Sequence, residues 1–509
     1  LFWNKEDPVH FETFLNSARL FDYIFTTDID CVARYKTALQ HDNVYFLPFA
    51  AQPKSNNPIE KYKRKDAFCF AGAYYKKYPE RTKDLGNFVL SLPEFKPLEI
   101  YDRNYGKTDS QYKFPLEYQP FIVGTLPFEE IDKAYKGYNY AINLNSIKQS
   151  QSMFARRVFE LLASNTVTVS NFSKGLRNIF GDLVFTSDSG FNITKDLERL
   201  SQSPAEMKKF RLLALRKVMS EHTYQDRLAY IYSKLAGIEK QQILPTVCVF
   251  SYVKSQIDFD IIYEHYQRQA YAYKKLLIVY PEGVSISIED SNVLMVQLKG
   301  ELGKLLGVDE NDWVATFVKE DFYDKHYVED LVLATRYTTS DVIGKGSYYD
   351  FRESGLEYKD NSNSYTSVPE LIARSSMIKA SFFSEMSILE YIRKIYTHRF
   401  TGDCFSIDEF SYCMNGQGYN KASEITEITE TIDQGYQLSQ LSDLAENKKA
   451  SIEGDKEIKI ISANTLFEMI PTPKSTLVTT SRKGGAVSVS STLADGKHEY
   501  WYANKLISP

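Results

Sequence analysis

The chain has 509 residues, more than one hydrophobic core usually serves, so the sequence predicts two or three domains. It carries 61 lysines and arginines against 66 aspartates and glutamates, a formal net charge of −5. This balance excludes a chain whose overall positive field recruits nucleic acid. With 43% hydrophobic residues the composition is that of an ordinary globular protein, and no apolar run approaches the ~18 residues that span a membrane.

Short apolar strands alternate with helical segments from residue 1 to about 235. The predicted strands are 22–27, 43–50, 66–72, 120–124, 138–144, 165–171 and 182–187, and one long helix is predicted over 204–235. Alternation at this spacing predicts an α/β fold with parallel, doubly wound sheets. The polar segment 51–65 contains two prolines and a basic run, and it divides the region into units at 1–55 and 56–240.

A second α/β region is predicted at 241–435, followed by a tail of different character. Its predicted strands are 245–253, 274–281, 292–298, 312–318 and 340–349. The segment 436–457 is polar, charged and turn-like, which predicts a linker. Short alternating runs at 458–509 predict a small β appendage with an aromatic row at 500–502, for which core packing and carbohydrate binding are both open interpretations.

Five cysteines are scattered along the chain without a CxxC motif or a Cys/His spacing typical of zinc. They are Cys31, Cys69, Cys248, Cys404 and Cys413. The first three lie in or beside apolar strand-like runs, where a free thiol acts as a small hydrophobic side chain. We therefore expect a reduced, cytoplasmic setting. Peripheral attachment at the inner membrane face is compatible with that location. No signal peptide is recognised, and the chain starts at Leu1 without a methionine.

One apolar helical run contains the charged residues Arg156, Arg157 and Glu160. A surface ion pair of little energetic value is one interpretation. The other depends on the preceding strand, whose polar end includes Asn145. Ligands of doubly wound sheets bind where strands end, and the next helix offers free N–H groups to a phosphate there. In that position Glu160 could accept hydrogen bonds from a ribose diol while the arginines neutralise a diphosphate.

Eight stretches in chain order carry a resemblance to a known family. They are 2-FWNKEDPVHF-11, 22-DYIFTTDIDCVARYK-36, 45-YFLPFAAQP-53, 68-FCFAGAYYKKYPER-81, 122-IVGTLPFEEIDKAY-135, 141-AINLNS-146, 157-RVFELLASN-165 and 221-EHTYQDRLAYI-231. Residues 1–235 resemble the carboxyl-terminal part of CgeB-type, spore-maturation-like glycosyltransferases with the two-Rossmann GT-B architecture. The resemblance implies a Rossmann-like GT-B nucleotide-sugar domain at 56–240 and the last part of an amino-terminal domain at 1–55. Either upstream sequence is missing or that domain is reduced.

In that family an R-x-F-E element lies in the nucleotide-sugar domain, and here it reads 157-RVFE-160. The resemblance implies that Glu160 holds the donor ribose and that Arg157 or Arg156 faces the diphosphate. Related retaining enzymes often carry a second glutamate eight residues earlier. This chain has Ser152 there, which leaves the sugar contacts and the stereochemistry open.

The resemblance implies further site residues in two other stretches. Gly72 would let the backbone approach the donor phosphates, and Arg81 and Arg103 would add phosphate-binding charge. In 4-NKEDPVHF-11, Asp7 and His10 would face the cleft, with His10 against the donor phosphate or the acceptor hydroxyl. A structural role for the histidine is the alternative.

The region 241–435 resembles, less closely, the family-two type of GT-A glycosyltransferase domain. The resemblance rests on 261-IIYEHYQRQAYAYKKLLIVYP-281, 300-GELGKLLGV-308 and 312-DWVATFVKEDFYDKHYVEDLVLATRYTTSDVIGKGSYY-349. The family's D-x-D cluster, which holds Mg²⁺ or Mn²⁺ on the donor diphosphate, falls where this chain has Lys319, Glu320 and Asp321. A degenerate binding domain, an active domain with altered metal ligation and a structural module are the alternatives.

The sequence thus predicts a hexosyltransferase-type glycosyltransferase that moves a sugar from a UDP-sugar or related donor to a cell-envelope glycan, a spore-surface glycan or a protein. Catalysis in the first region is expected to need no metal, and Mg²⁺ or Mn²⁺ enters only if the second region is active. The alternatives are a noncatalytic glycan-binding assembly protein, and activity in the GT-A-like region. We expect no nucleic-acid partner and no transmembrane segment, and a homo-oligomer is left open.

Overall fold

The computed structural model describes residues 1–239, 242–298, 309, 312–384, 386–419, 425, 432–454, 475–483, 486–493 and 498–502. The stretch 300–308, which carries part of the second resemblance, lies outside them.

The chain begins with a small parallel sheet. Its elements are β1 (Phe2–Asn4), α1 (Phe11–Ala18), β2 (Ile24–Thr26), α2 (Ile29–Leu39) and β3 (Val44–Phe46), and the strands pair in the order β1-β2-β3. The helix α2 begins where the Asp28 carboxylate accepts a hydrogen bond from the Cys31 N–H, which satisfies one of the free donors of the first turn.

A six-stranded parallel sheet follows. In chain order its elements are β4 (Lys65–Gly72), α3 (Pro79–Ser91), β5 (Leu98–Asp102), β6 (Ile122–Gly124), α4 (Ile131–Lys136), β7 (Tyr138–Asn143), α5 (Arg157–Ala163), β8 (Val167–Ser170), α6 (Lys174–Phe180), β9 (Phe185–Thr186), α7 (Gly190–Ser201), α8 (Pro204–Glu221) and α9 (Tyr224–Ala236), with 3₁₀ turns at Leu92–Glu94, Leu116–Phe121, Phe128–Glu130 and Gly181–Leu183. The strand order is β6-β5-β4-β7-β8-β9, the doubly wound Rossmann order. The predicted α/β fold with a Rossmann-like sheet is confirmed.

The long helix predicted over 204–235 is two helices, α8 and α9. The chain turns at Thr223, whose hydroxyl accepts a hydrogen bond from the Asp226 N–H while the Asp226 carboxylate accepts one from the Thr223 N–H. Arg227 then donates hydrogen bonds to the carbonyl oxygens of Pro48 and Phe49. The second helix therefore turns back and packs against the segment that follows β3.

The second region contains a mixed eight-stranded sheet and a smaller four-stranded sheet. In chain order its elements are β10 (Val247–Tyr252), α10 (Gln256–Arg268), β11 (Lys274–Pro281), β12 (Val293–Leu298), β13 (Trp313–Thr316), β14 (Phe322–Tyr323), α11 (Tyr327–Ala334), β15 (Val342–Gly344), β16 (Tyr348–Arg352), β17 (Gly355–Lys359), β18 (Thr366–Ile372), β19 (Ser376–Lys379), α12 (Ile388–Lys394), β20 (Arg399–Ser406) and β21 (Tyr412–Met414), with 3₁₀ turns at Ala373–Ser375 and Ala380–Ser384. The sheet orders are β12-β11-β10-β13-β19-β15-β20-β18 and β14-β21-β16-β17.

Four neighbouring strands of the large sheet, β12, β11, β10 and β13, are parallel, and β19 is antiparallel to both of its neighbours. The run 340–349, predicted as one strand, divides between β15 of the large sheet and β16 of the small one. Between them lies Gly346, where an added Cβ would lie 2.1 Å from the Ser362 hydroxyl oxygen, so the chain passes too close to its neighbour for a larger residue.

The segment predicted as a turn-like linker is mostly helical. α13 (Leu438–Gly454) packs against α2 and β3, and the Leu438 N–H donates a hydrogen bond to Glu221. The chain therefore returns to the first sheet after completing the second region. Beyond it, β22 (Ser475–Lys483), β23 (Ala486–Leu493) and β24 (His498–Tyr502) form an antiparallel three-stranded sheet, which agrees with the predicted small β segment.

The two α/β regions share one hydrophobic cluster and several buried ion pairs. The cluster includes Val218 of α8 and Leu331 of α11, both fully buried. Beside them Arg216 pairs with Asp330 through two hydrogen bonds of 2.9 and 3.0 Å. The helix α8 therefore contributes buried side chains to the hydrophobic core that both regions share. Across the described part of the chain, no helix combines the length and the apolar character that crossing a bilayer requires.

Candidate functional site

The strand order of the six-stranded sheet reverses between β4 and β7. These two strands are parallel and adjacent, and they end at Gly72 and Asn143. Because the connections leave neighbouring strands toward opposite faces at such a point, the carboxyl ends open a crevice there. Three residues predicted from the sequence lie at or after these strand ends. Gly72 is the last residue of β4, and Asn145 and Arg157 lie on the connection and helix that follow β7.

Gly72 lies where the backbone passes closely over an aromatic ring. A Cβ at this position would lie 2.5 Å from the Phe70 Cζ, so a larger residue would displace the ring or the strand end. The Gly72 carbonyl oxygen accepts a hydrogen bond of 2.8 Å from the Arg103 N–H, and the Ala73 carbonyl accepts one of 3.0 Å from Arg81 Nη1. The Arg81 side chain and the Arg103 backbone are thereby attached to the end of β4, and the Arg103 side chain is exposed.

Three arginines converge on this strand end. Burial lowers the pKa of Arg81, and among the charged groups that act on it Arg157 and Arg103 lower it further. A like charge lowers the pKa of a guanidinium only at short range, so the three side chains share one electrostatic environment. Within the described ranges, none of the three has a carboxylate at ion-pair distance. The end of β4 is therefore a concentration of uncompensated positive charge.

Arg157 lies in the first turn of α5, between this arginine cluster and Tyr135 of α4. Burial raises the pKa of the Tyr135 hydroxyl to about 12, and the nearby Arg157 charge opposes this rise. The Arg157 Nε is buried without a hydrogen-bond partner. A buried N–H group without a partner costs free energy, and an anionic ligand would satisfy it. The prediction named Arg157 and Arg156 as alternatives for this role, and only Arg157 shares the environment of Arg81.

Glu160 makes two contacts within the protein. Its Oε1 lies 2.8 Å from Arg156 Nε, and its Oε2 accepts a 3.0 Å hydrogen bond from the Tyr135 hydroxyl. The Glu160 side chain is only 13% exposed, whereas that of Arg156 is 53% exposed. The ion pair of the first interpretation is present, but the carboxylate is not on an open surface. Each oxygen keeps lone-pair capacity for a ligand hydroxyl.

Sequence reasoning missed Tyr135 and Tyr224, which complete the surroundings of Glu160. Burial raises the pKa of Tyr224, the first residue of α9, and the nearby Arg156 charge opposes this rise. The Tyr224 ring lies 6.3 Å from that of Trp3 on β1. Tyr135 and Tyr224 lie in two of the resembling stretches, 122–135 and 221–231, and Glu160 lies in a third, 157–165. The resemblance places all three stretches in one domain, which is the only sequence signal that contacts among them could have been expected. Nothing in the local pattern identifies these two tyrosines among the 37 of the chain.

Asn145 and Ser152, predicted to contact the donor, are both buried with 3% of their surface exposed. Asn145 Oδ1 accepts a hydrogen bond from the Ala155 N–H at 2.9 Å. The Ser152 hydroxyl donates to the Thr27 carbonyl oxygen and accepts from the Ile29 N–H. The two side chains hold the loop before α5 in shape and attach it to the first sheet, so their polar groups are used within the protein.

Asp7 and His10 lie in different surroundings. Asp7 is fully buried, accepting hydrogen bonds from Asn4 Nδ2 at 2.8 Å and from the Thr26 hydroxyl at 2.6 Å. Burial raises the pKa of its carboxyl group to about 6. His10 is exposed at the start of α1, with its ring 6.5 Å from that of Phe14. The cleft-facing position expected for both residues therefore suits only the histidine.

In the second region, the side chain of Asp321 is committed to the fold. It is fully buried and pairs with Arg374 through both carboxylate oxygens. It also accepts hydrogen bonds from the Tyr412 hydroxyl at 2.8 Å and the Asn415 N–H at 2.7 Å. Lys319 pairs with Asp258 at 2.7 Å.

A divalent cation does not fit these residues. The Asp321 oxygens are surrounded by protein donors, and a cation there would have to displace the Arg374 guanidinium. Glu320, the other predicted ligand, is half-buried near Tyr396, and one of its carboxylate oxygens is buried without a hydrogen-bond partner. In the described residues, no group of three or more His, Cys, Asp and Glu side chains could hold a metal ion.

Comparison with known proteins gives one family match, and it covers part of the chain. Residues 99–233 match the model of a glycosyl transferase-like family. This range runs from β5 to α9, so it contains Arg103, Arg157 and Glu160 but not Gly72 or Arg81. No curated protein matches.

Several solved structures are similar to part of the chain. A GtfA/B complex is 12% identical with a TM-score of 0.32, a sucrose-phosphate synthase from Thermosynechococcus elongatus is 13% identical with a TM-score of 0.33, and a TarM mutant from S. aureus, in complex with fondaparinux, alpha-GlcNAc-glycerol and UDP, is 10% identical with a TM-score of 0.33. Each similarity covers 44% of this chain and 47%, 62% and 45% of the respective structures. The chain thus matches about half the length of these proteins.

Proposed function

We propose that the six-stranded sheet and its helices form the donor site of a glycosyltransferase. The donor is a nucleoside diphosphate sugar, with a UDP-hexose as the specific candidate, and the acceptor is a cell-envelope or spore-surface glycan or a protein. The observation that carries the proposal is the cluster of Arg81, Arg103 and Arg157 at the end of β4, none of which pairs with a carboxylate among the residues that the structure describes. The family match over 99–233 supports it.

The positive charge of the arginines suits the step in which the sugar leaves the diphosphate. The bond between the anomeric carbon and the diphosphate oxygen breaks, its electron pair stays on the phosphate, and the acceptor oxygen bonds to the carbon and loses its proton. Negative charge grows on the departing diphosphate, and preorganised guanidinium groups stabilise such charge. Three cations could do this without a metal, so the proposed reaction proceeds in the presence of EDTA.

Glu160 is proposed to hold the donor ribose. Its two protein partners, Arg156 and Tyr135, fix the carboxylate in one orientation, which is a requirement for accepting hydrogen bonds from two neighbouring hydroxyls. His10, exposed on the first sheet unit, stays the proposed contact to phosphate or to the acceptor hydroxyl, and buried Asp7 is proposed to support that segment.

Release of UDP from a UDP-sugar, measured in EDTA, tests the proposal. The wild-type chain is expected to release UDP slowly, and Arg81→Gln is expected to lower the rate at least tenfold, because a charge-assisted hydrogen bond contributes about 1.5–3 kcal/mol. Arg177→Gln is the matched control, since Arg177 pairs with Asp182 on the surface of α6. Release that requires Mg²⁺, or equal rates in all three proteins, would reject the proposed site.

Glu160→Ala distinguishes the enzyme from its main alternative, a noncatalytic glycan-binding assembly protein. The use of both Glu160 oxygens by protein partners is the observation that favours the alternative. On the enzyme proposal the variant binds UDP about tenfold more weakly by calorimetry and binds methylene diphosphonate, which lacks a ribose, as the wild type does. Unchanged UDP affinity, or glycan retention by a chain that binds no nucleotide, would favour the assembly protein.

A further inference from the structure

Two loops beside the proposed donor site form a basic surface that carries exposed tyrosines. One loop continues from β4 into α3 and the other follows β5. We define the basic tyrosine surface by its exposed members, which are Lys76, Lys77, Tyr78, Tyr105, Lys107 and Lys113. We infer that this surface binds a polyanionic glycan, and that such a glycan is the acceptor class of the transferase; the inference thus rests on the proposed function.

The two loops form one surface because they contact each other. The Lys76 N–H donates a hydrogen bond of 3.2 Å to the Gln111 carbonyl oxygen. The rings of Tyr75 and Tyr112 meet edge to face, with 5.5 Å between their centroids. The exposed lysines of both loops therefore belong to a single continuous patch rather than to two separate loops.

The charge of this patch differs from that of the chain. Residues 74–83 and 103–113 contain seven basic and two acidic side chains, whereas the whole chain has a net charge of −5. None of those seven basic groups has an ion-pair partner among the described residues. The adjoining Asp84 and Asp102 are buried, and Asp84 pairs with Lys148. A local positive field of this kind attracts anionic partners.

This charge exceeds what a nucleotide donor requires. A nucleoside diphosphate carries two to three negative charges, which Arg81, Arg103 and Arg157 already match. Lys76, Lys77, Lys107 and Lys113 are additional and point to a second, more extended anion. Because they lie on the loops that follow β4 and β5, a chain bound to them would approach the same sheet edge as the donor sugar.

The tyrosines favour a sugar polymer over a chain of bare anions. Tyr78 and Tyr105 are 45% and 59% exposed, so part of each ring is accessible to a pyranose. Lys77 Nζ lies 4.9 Å from the centroid of the Tyr78 ring, which places a cation directly beside a stacking face. Alternating cations and rings fit a glycan whose sugars carry phosphate, sulfate or carboxylate groups.

Binding of dextran sulfate to the full chain tests the inference, with neutral dextran, polyuridylate and phosphatidylglycerol vesicles as competitors. Wild type is expected to bind dextran sulfate and not dextran. The variant Lys76→Gln/Lys77→Gln/Lys107→Gln/Lys113→Gln is expected to bind at least tenfold more weakly. The control variant changes the same number of exposed lysines elsewhere, at Lys63, Lys195, Lys254 and Lys394, and is expected to bind as wild type does. Equal loss in both variants, or tighter binding of polyuridylate or vesicles, overturns the inference.

A second variant tests the sugar contact separately from the charge. Tyr78→Ala/Tyr105→Ala is expected to weaken dextran sulfate binding severalfold and to leave binding of inorganic polyphosphate unchanged. An equal effect on both ligands, or no effect on either, would contradict a glycan surface. UDP titration of the wild-type chain beside the dextran sulfate titration keeps the two proposals apart. Wild type that binds UDP but not dextran sulfate rejects the surface alone, and wild type that binds dextran sulfate but not UDP rejects the donor site alone.

Discussion

Asp7 and Glu160 are both acidic residues that the sequence selects for the site, and their environments give them different properties. Asp7 is fully buried among neutral hydrogen-bond donors, and burial raises the pKa of its carboxyl group to about 6. Glu160 lies next to the Arg156 guanidinium. The sequence predicted that both residues lie in functionally placed stretches. It could not predict which would be buried, because that depends on Thr26 and Tyr135, which are remote from them in the chain.

The raised pKa of Asp7 predicts a pH-dependent contribution to stability. Because the folded chain binds this proton more tightly than the unfolded chain, the protonated carboxyl group stabilises the fold below about pH 4, and the contribution is lost as the pH rises through about 6. Asp7→Asn removes this loss. Its free energy of unfolding relative to wild type should increase by about 1–3 kcal/mol between pH 4 and pH 7, measured by chemical denaturation. A difference that stays constant with pH would show that Asp7 is ionised in the fold.

At the scale of single elements, the break between α8 and α9 depends on one threonine. The Thr223 hydroxyl accepts hydrogen bonds from the Asp226 N–H and from Arg336 Nη1 of the second region. Hydrophobic periodicity is helical on both sides of the break, which is why the sequence predicted a single helix. The capping pattern of Thr223 and Asp226 was available in the sequence and indicates the second start.

Thr223→Ala is expected to lower the free energy of unfolding by about 1–2 kcal/mol, since the cap is lost and Arg336 loses an acceptor. Thr223→Ser keeps the hydroxyl and should remain within about 0.5 kcal/mol of wild type. Chemical denaturation of both variants gives the comparison. If serine and alanine destabilise the chain equally, the methyl group matters and the cap does not.

Other elements show the same limit of sequence patterns. The strands around β4 and β7 were predicted because each is a short apolar run between turns, and the resemblance implied a Rossmann-like sheet. The helix α13 was missed because its composition is polar and its partners, α2 and β3, lie about 400 residues earlier. The arginine cluster could be named residue by residue, but the absence of carboxylates around it depends on tertiary packing.

At the scale of the whole molecule, the two α/β regions are joined through buried charges that differ in their pairing. Arg216 and Asp330 form a buried pair, with side chains 7% and 3% exposed. Arg211, five residues earlier on α8, is half-buried as a residue, but its Nε and Nη1 are buried without hydrogen-bond partners, and burial lowers its pKa to about 10. Removing one partner of a buried pair strands the other charge, whereas removing an unpaired buried charge does not.

Two substitutions on α8 are therefore expected to act in opposite directions. Arg216→Met should destabilise the chain by about 3–5 kcal/mol, because it leaves Asp330 buried and without its main cation. Arg211→Met should leave the stability unchanged or raise it. Thermal unfolding of the two variants under the same conditions measures the contrast, and a large loss of stability in Arg211→Met would mean that an anion or water satisfies this group in solution.

The central claim is that the arginines at the end of β4 bind the diphosphate of a nucleotide. Calorimetric titration of wild type and Arg157→Gln with UDP and with uridine tests it most directly. We expect wild type to bind UDP at least a hundredfold more tightly than uridine, and Arg157→Gln to lose at least tenfold of the UDP affinity with its uridine affinity unchanged. Equal binding of UDP and uridine by wild type, or a UDP affinity that does not change in the variant, would contradict the account.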